Sequence, residues 1–377
     1  MVTLRRVLHR GLDELLMGAA LLRPMHPPKL QMGPLSDAVH LPAGGVPEVG
    51  PLAIPLPTRK TRLEFRSPVP GMPPPNDRLI LHVTPPKGPS RGVVVFSPFW
   101  LIPGPWALAP YVRLVKSLQL HSVLYTPPDH MQRTSKSYFS GERLLSFDFP
   151  YMERMLQVTA AELAAVTRGF SAHGLPVFLL GMSLGGLYAA MAALHGAPVD
   201  GLALITPAVD MQAPMAKSRL GRHYQDVIKR RGDALPSQDE LSRLGLPYRA
   251  RSFDRPLPAD RIFLAHGIHD GVVPLGVATA LAHRWQVPLH SYASGHMSLL
   301  FLDPAVQRDV RRFLKACLAG RPAALRTTRQ EARAARGGQK QARPLRALAR
   351  AMKSPLATLR AATRPAGGGL PRRPSPR

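Results

Sequence analysis

Residues 176–190, PVFLLGMSLGGLYAA, constrain the fold of this chain more than any other stretch. The apolar run 177–180 has the length and composition of a buried parallel strand, and an apolar stretch with helical spacing follows shortly after it. Between them stands Gly-x-Ser-x-Gly at 181–185, and a serine between strand and helix in this pattern is typical of a nucleophile elbow. Because such a turn is strained and crowded, it predicts small residues on both sides of Ser183.

Eight apolar or alternating runs predict eight strands, and helical patterns separate most of the later ones. We place the strands at Arg62–Arg66, Leu79–Val83, Val93–Phe96, Ser122–Tyr125, Val177–Leu180, Leu202–Ile205, Ile262–Ala265 and Leu289–Tyr292. We place the helices at Ala109–Leu118, Tyr151–Phe170, Leu184–His195, Leu275–Trp285 and Pro304–Leu318. Two early strands followed by strand–helix alternation indicate an α/β fold, a mostly parallel sheet with an antiparallel edge that is flanked by helices.

Composition divides the chain into a central domain with an extension at each end. We expect an N-terminal amphipathic helix over 1–23, a Pro-rich connector over 24–60, the central domain over 61–319 and a basic tail over 320–377. Within the domain, 208–258 is a long connection between the sixth and seventh strands. Because loops of this length usually cover binding sites, we expect a cap or lid there, with a surface excursion as the alternative.

The net charge of +27 is unevenly distributed, because residues 321–377 hold fifteen Lys and Arg against one acid, Glu331. This tail has few large apolar residues to offset its ordering entropy, so we expect it to be a disordered, solvated segment. The alternative is that 346–359 forms a basic amphipathic helix in peripheral contact with an anionic membrane, together with the N-terminal helix. Nucleic acid is the less favoured partner.

The N-terminus imitates a signal peptide, but Asp13 and Glu14 interrupt its apolar run, and no apolar stretch is long enough for a membrane span. We therefore expect a cytoplasmic protein whose N-terminal helix packs on the domain or lies on a membrane surface. The single cysteine, Cys317, excludes an intramolecular disulfide and a cysteine-based zinc site. No phosphate-binding loop or metal-ligand spacing is visible, so we expect no cofactor and no metal.

A serine nucleophile needs a base, and the base needs an orienting carboxylate. In enzymes with this elbow the chain order is Ser, then Asp or Glu, then His. The seventh predicted strand runs into a turn with Asp270 at its tip, and the eighth ends in a turn that carries His296. We predict Ser183 as nucleophile, His296 as base and Asp270 as the orienting acid, with Asp210 as the alternative acid.

An oxyanion is expected to bind the N–H of Leu184, which follows the nucleophile at a helix N-terminus. The second donor should come from the loop after the third strand. Pro98 has no N–H, which leaves Phe99 or Trp100, and Phe99 is preferred because it lies just past the strand. Apolar residues of this loop either pack beneath the cap or line a pocket for a hydrophobic substrate: Trp100, Leu101 and Trp106.

From about residue 60 to 318 the chain resembles the α/β-hydrolase superfamily. Two sets of motifs look like the branch named abhydrolase-domain-containing protein eighteen and its bacterial relatives. These motifs are DGVVPLGV at 270–277 through Trp285 to SGHMS at 294–298, and PPDHMQR at 127–133 with SGE at 140–142 and GMSLGG at 181–186. The resemblance implies the α/β-hydrolase fold and a serine hydrolase of lipid esters, and it favours Asp270 over Asp210. Arg133 and Glu142 would either line the cleft or form a structural ion pair.

The sequence thus predicts a serine hydrolase of esterase or lipase type. Its substrate would be a small-molecule or lipid carboxylic ester, cleaved through an acyl-Ser183 intermediate. One alternative is an acyltransferase on the same fold, in which an alcohol or amine replaces water. The other is a non-catalytic binding protein whose basic tail contacts a membrane or nucleic acid, against which the presence of Ser, Asp and His together argues.

Overall fold

The computed structural model describes residues 46–136, 138–145, 149–218 and 254–321, together with Gly11, Asp13 and isolated positions between 221 and 238. Its strands are β1 (Thr61–Arg66), β2 (Arg78–Thr84), β3 (Val93–Ser97), β4 (His121–Thr126), β5 (Val177–Met182), β6 (Gly201–Ile205), β7 (Ile262–Gly267) and β8 (Leu289–Tyr292). They form one eight-stranded sheet in the order β1-β2-β4-β3-β5-β6-β7-β8.

The sheet is antiparallel at one edge and parallel elsewhere. β2 pairs antiparallel with both β1 and β4, and every pairing from β4 to β8 is parallel. The central strands β3, β5 and β6 are buried along their whole length, as their uninterrupted apolar sequences require. The predicted mostly parallel sheet is confirmed, and each strand was placed to within two residues.

Helices cover both faces of the sheet. Those in the described part of the chain are α1 (Ala109–Lys116), α2 (Phe149–Ser171), α3 (Leu184–Leu194), α4 (Gln212–Lys217), α5 (Leu275–Trp285), α6 (His296–Phe301) and α7 (Pro304–Leu318). Alternate residues of β3 enter two separate apolar clusters, since successive side chains of a strand point to opposite faces. One cluster includes α2, α3 and α5, and the other includes α1, α6 and α7 with Cys317.

Because β5, β6, β7 and β8 are parallel, their carboxyl ends lie at the same edge of the sheet. Ser183 follows β5, Thr206 follows β6, Asp270 comes three residues after β7, and His296 begins the helix after β8. Ligand sites of open α/β sheets form at this carboxyl edge. The sheet therefore collects side chains that are distant in the sequence.

A buried ionic cluster joins the antiparallel edge to α2. Both side chains of the Arg133–Glu162 pair are fully buried, with 2.6 Å between Nη1 and Oε2. Tyr125 and Ser67 also donate to the Glu162 carboxylate, so that its desolvation is offset by several hydrogen bonds. The ion pair of Arg133 is therefore with Glu162 and not with Glu142, and its full burial shows that Arg133 does not line a cleft.

Several predicted segments lie outside the described residues. They are the basic tail from 322 onward, most of the cap over 208–258, and the N-terminal helix over 1–23 except for Gly11 and Asp13, which are helical. Of the predicted connector, residues 46–60 are described and contain no helix or strand, and Ile54 is buried in the core. Among the described helices, none has the length and apolar character needed to cross a membrane.

Candidate active site

Ser183 stands in the turn between β5 and α3 with φ 52° and ψ −119°, a backbone conformation that residues with a side chain rarely adopt. Its N–H donates to the carbonyl oxygen of Ile205 at the end of β6, at 3.0 Å. Its own carbonyl oxygen accepts from the N–H groups of Gly186 and Ala208, at 2.8 and 3.0 Å. The end of β6 thus stabilises the turn.

Glycines surround the turn where other chain segments come too close for a Cβ atom. A Cβ on Gly181 would lie 2.6 Å from the carbonyl oxygen of Gly185, and one on Gly185 would lie 2.1 Å from that of Ser97. These close approaches explain why glycine occupies positions 181 and 185. The close approach at Gly185 also brings the loop after β3 against the start of α3.

The structure brings Ser183, His296 and Asp270 into one hydrogen-bonded chain. Ser183 Oγ lies 2.9 Å from His296 Nε2, and His296 Nδ1 lies 2.7 Å from Asp270 Oδ2. Because a carboxylate only accepts hydrogen bonds, Nδ1 carries the proton and Nε2 is free to accept from the serine hydroxyl. Asp210, the alternative acid, instead accepts from the N–H of Gln212 at 2.9 Å.

The Asp270 carboxylate is saturated with donors. Its Oδ1 accepts from the N–H groups of Val272 and Val273, each at 2.8 Å, and Oδ2 accepts from the Thr206 hydroxyl as well as from His296. Burial acts to raise the pKa of Asp270, but the charge of His296 and these hydrogen bonds outweigh it and bring the pKa below its ordinary value. Asp270 is therefore ionised at neutral pH.

The same pairing acts on His296 in the opposite direction. Burial lowers the pKa of the imidazole, but the charge of Asp270 and its hydrogen bond to Nδ1 more than compensate, so the pKa lies above its ordinary value. His266 also lies near Asp270, with 3.8 Å between Nε2 and Oδ2. Burial dominates there and lowers the pKa of His266.

Thr206 is a member of this cluster that sequence reasoning missed. It follows β6 with φ 44°, unusual for a β-branched residue, and its N–H donates to Ala265 at 2.7 Å. Its hydroxyl donates to Asp270, and Oγ1 lies 3.2 Å from His296 Nδ1. The only signal in the sequence was a hydroxyl residue directly after the strand beside the nucleophile strand.

The two predicted oxyanion donors lie on either side of the contact between the β3 loop and α3. Leu184 begins α3, and within the described part of the chain its N–H and that of Phe99 donate to no other protein group. Phe99 is buried, and its ring packs edge to face against Phe301 of α6, with 5.1 Å between centroids. These two amides remain the candidate oxyanion donors.

The predicted pocket residues differ in their surroundings. Trp100 is half-buried, and its indole N–H donates to the carbonyl oxygen of Gly141 at 2.8 Å. Leu101 is half-buried with φ 63°, whereas Trp106 is 53% exposed.

A cavity of about 480 Å³ lies elsewhere, along β1. Because β1 is four strands from β5, this cavity is separate from the Ser183 site.

A metal site is not apparent in the described part of the chain, where no group of three or more His, Cys, Asp or Glu side chains is placed to bind an ion. The chemistry that the cluster can perform is proton transfer between Ser183 and His296, with Asp270 as the fixed negative charge behind the imidazole.

No protein-family model matches the sequence, and a search of curated proteins found no match. Among solved structures, Pyrococcus horikoshii acylaminoacyl peptidase is similar, with a TM-score of 0.50 and 13% sequence identity over 71% of this chain and 42% of that one. This chain thus spans less than half of that relative's length. The fold is that of the α/β-hydrolases.

Two further structures share this similarity at lower scores. A soluble variant of Saccharomyces cerevisiae monoglyceride lipase gives a TM-score of 0.43 and 11% identity over 64% of this chain and 92% of that one. A carboxyl esterase from Bacillus coagulans gives 0.43 and 11% over 70% and 100%. The resemblance to the abhydrolase-eighteen branch has no support at the sequence level and stays a prediction.

The crowding at Gly185 gives a test of the elbow that is independent of activity. We expect Gly185→Ala to lower the free energy of unfolding by about 2–3 kcal/mol, because the new Cβ meets backbone oxygens of the β3 loop, which are not free to move away. The matched control is Gly276→Ala, also at the second residue of a helix, where no atom lies within 4 Å of a Cβ. The control should gain about 0.4–1 kcal/mol. Urea unfolding measures both, and equal stabilities would contradict the close approach.

Proposed function

We propose that this protein is a serine hydrolase that cleaves carboxylic esters with a hydrophobic acyl group through an acyl-Ser183 intermediate. The observation that carries the proposal is the 2.9 Å contact between Ser183 Oγ and His296 Nε2 at a strained elbow, with His296 Nδ1 on Asp270 at 2.7 Å. A nucleophile within reach of its base, with the base oriented by a third group, is the arrangement of covalent acyl transfer.

In the first half-reaction, Ser183 Oγ attacks the ester carbonyl carbon while His296 Nε2 takes the hydroxyl proton. The tetrahedral intermediate then breaks its bond to the alcohol oxygen, and His296 returns the proton to that oxygen as the alcohol leaves. In the second half-reaction, His296 takes a proton from water, whose oxygen attacks the acyl-serine. The carboxylic acid leaves, and Ser183 regains its proton from His296.

Asp270 and Thr206 support the charge changes of these steps. The imidazole becomes positive each time it takes a proton, and the ionised Asp270 stabilises that state on its Nδ1 side. Thr206 donates to the same carboxylate oxygen that accepts from His296, so it orients the carboxylate while leaving the charge in place. Both are buried, so water competes weakly for these bonds.

In this proposal the backbone N–H groups of Leu184 and Phe99 donate hydrogen bonds to the negatively charged oxygen of the tetrahedral intermediate. The Leu184 N–H is at the N-terminus of α3, where the helix dipole adds to its effect. Gly185 packs against Ser97 and Pro98, so the β3 loop that carries Phe99 adjoins the elbow. Removing one such donor from an acyl-transfer enzyme typically costs about 100–1,000-fold in rate.

Exposed apolar side chains favour a hydrophobic acyl group. Trp106 is 53% exposed, Ile268 45% and Leu302 37%, and each lies in a segment that follows a strand end at the Ser183 edge, after β3, β7 and β8 respectively. Exposed apolar side chains of this size are typical of surfaces that bind apolar ligands, and we infer that these three contact the acyl group. Acyl transfer to an alcohol would share every step up to the acyl-serine, and product analysis with added alcohols separates the two outcomes.

Labelling with a fluorophosphonate probe tests the nucleophile directly. We expect wild type to label, Ser183→Ala to remain unlabelled, and His296→Ala to label more than about 1,000-fold more slowly because it lacks the base. The control is Ser117→Ala, an exposed serine at the end of α1, which should label at the wild-type rate. A folded wild type that does not label would contradict the proposal and favour the non-catalytic binding protein.

A series of p-nitrophenyl esters of increasing acyl length tests the substrate class. We expect kcat/KM to rise with chain length, since each added methylene group that becomes buried contributes up to about 0.8 kcal/mol. If the acyl chain extends to Trp106 as proposed, Trp106→Ala should lower kcat/KM about tenfold for long esters and leave the acetyl ester unchanged, because only a long chain would contact the indole. Equal losses on short and long esters would place Trp106 outside the acyl site.

The pH profile of kcat/KM follows from the paired pKa shifts. The reaction needs neutral His296, whose pKa is raised, so activity should rise with pH through a midpoint above about 6.5, the ordinary imidazole value. Asp270→Asn removes the charge that raises this pKa, so the midpoint should move to lower pH while kcat/KM falls about 10⁴-fold. Asp254→Asn, which alters an exposed pair with Arg284, is the control and should leave the midpoint unchanged. A midpoint that moves upward in Asp270→Asn would contradict this assignment.

A further inference from the structure

A second buried carboxylate, Asp13, contacts the turn that carries His296. Asp13 is 2% exposed although it lies 283 positions earlier in the chain than His296. Its Oδ2 accepts from the N–H of His296 at 2.7 Å, and its Oδ1 accepts from that of Met297 at 2.8 Å. Oδ2 also accepts from the N–H of Gly271 at 3.3 Å. One side chain of the N-terminal segment therefore contacts both the histidine turn and the residue after Asp270.

The contact with Asp13 satisfies backbone groups that the histidine turn cannot satisfy itself. His296 and Met297 are the first two residues of α6, and the first N–H groups of a helix have no partner within it. The N-cap residue is Gly295, which has no side chain to accept from them, whereas an aspartate or serine at this position commonly does. Asp13 supplies the missing acceptors from a distant part of the chain.

The fit of Asp13 against the turn is close. A Cβ on Gly295 would lie 2.5 Å from Asp13 Oδ2 and 2.9 Å from Oδ1. Glycine at 295 thus admits the carboxylate to the backbone of the turn, just as Gly185 admits the β3 loop to the elbow. The turn therefore offers both the free N–H donors of His296 and Met297 and, at Gly295, the space that the Asp13 carboxylate needs to reach them.

We propose, on the basis of the function inferred above, that Asp13 is a positioning residue of the active site that fixes the backbone of His296 and links it to the acid turn. His296 is then held at its Nδ1 by Asp270 and at its main chain by Asp13. Because displacements of about 1 Å cost about 100-fold in rate, backbone fixation of the base is a direct determinant of activity.

The negative charge of Asp13 acts on the pKa of His296, so the pH midpoint of the reaction distinguishes the proposed role from that of a purely structural contact. The titratable groups whose charges act on the His296 imidazole are Asp270, Asp13 and His266. The Asp13 carboxylate adds to the effect of Asp270 and favours protonated His296. Removing its charge should therefore lower the pH midpoint of the reaction in addition to slowing it.

The experiment compares Asp13→Asn and Asp13→Ala with wild type in fluorophosphonate labelling rate across pH. Asparagine retains the size but has one acceptor, so it must place an NH₂ group against a backbone N–H. We expect labelling to slow about tenfold in Asp13→Asn and up to about 100-fold in Asp13→Ala, with the midpoint at lower pH in both. The matched control is Asp309→Asn, a buried carboxylate on α7 that accepts from Tyr292 and Arg312. The control should lose stability but keep the wild-type midpoint.

Wild-type rates and an unchanged midpoint in folded Asp13 variants would overturn the proposal. Amide hydrogen exchange of residues 295–299 gives a second measurement that needs no activity: protection should fall in Asp13→Ala and remain in Asp309→Asn. Unchanged protection would also overturn it. If wild type does not label, the proposed function fails, whereas the exchange comparison still decides whether Asp13 fixes the histidine turn.

Discussion

The backbone of Ser183 is the constraint on which the site depends. Its positive φ costs of order 1–3 kcal/mol, which the surrounding structure must offset. The offset comes from hydrogen bonds to the end of β6 and from the close approach of the β3 loop at Gly185. Because β3, β5 and β6 are neighbours in the sheet, the same packing that buries their apolar residues also fixes this turn. The three central strands thus together offset the strain of the turn. The serine hydroxyl lies at the edge of the sheet where β7 and β8 end.

The Asp270 and Asp13 carboxylates at this edge are buried, and hydrogen bonds to each of them offset the cost of its burial. Asp270 receives two backbone N–H groups, the Thr206 hydroxyl and the imidazole, and Asp13 receives three backbone N–H groups. An isolated carboxylate in such surroundings would become neutral. The pKa values of Asp270 and Asp13 shift in opposite directions. Asp270 contacts the imidazole directly and its pKa falls, whereas burial dominates at Asp13 and raises its pKa. Asp270 is therefore the more firmly charged of the two.

Sequence patterns predicted the sheet because each strand is an apolar or alternating run, from the exposed and half-buried β1 to the fully buried β5. They placed Ser183, Asp270 and His296 together because each follows a strand. They could not predict contacts that depend on tertiary proximity alone. Thr206 looks like an ordinary strand end, and α6 is too short, at six residues, to show a helical period. Asp13 was interpreted only as an interruption of an apolar run. The ion-pair partner of Arg133 could not be predicted either, since Glu162 is 29 positions away on α2 while Glu142 is nearer in the sequence.

A six-residue helix is not stable by itself, so the position of His296 must come from its contacts. Within the histidine turn, Ser298 Oγ accepts from the N–H of Gly295, and the Ser294 hydroxyl donates to Asp303. The remaining order comes from outside the turn, from Asp270 at the imidazole and Asp13 at the main chain. In the proposed mechanism, a base fixed from both ends needs little rearrangement when the imidazole becomes charged, and preorganisation of this kind is a large part of catalysis by polar groups. On this reasoning Asp13 is part of the support of the proposed active site.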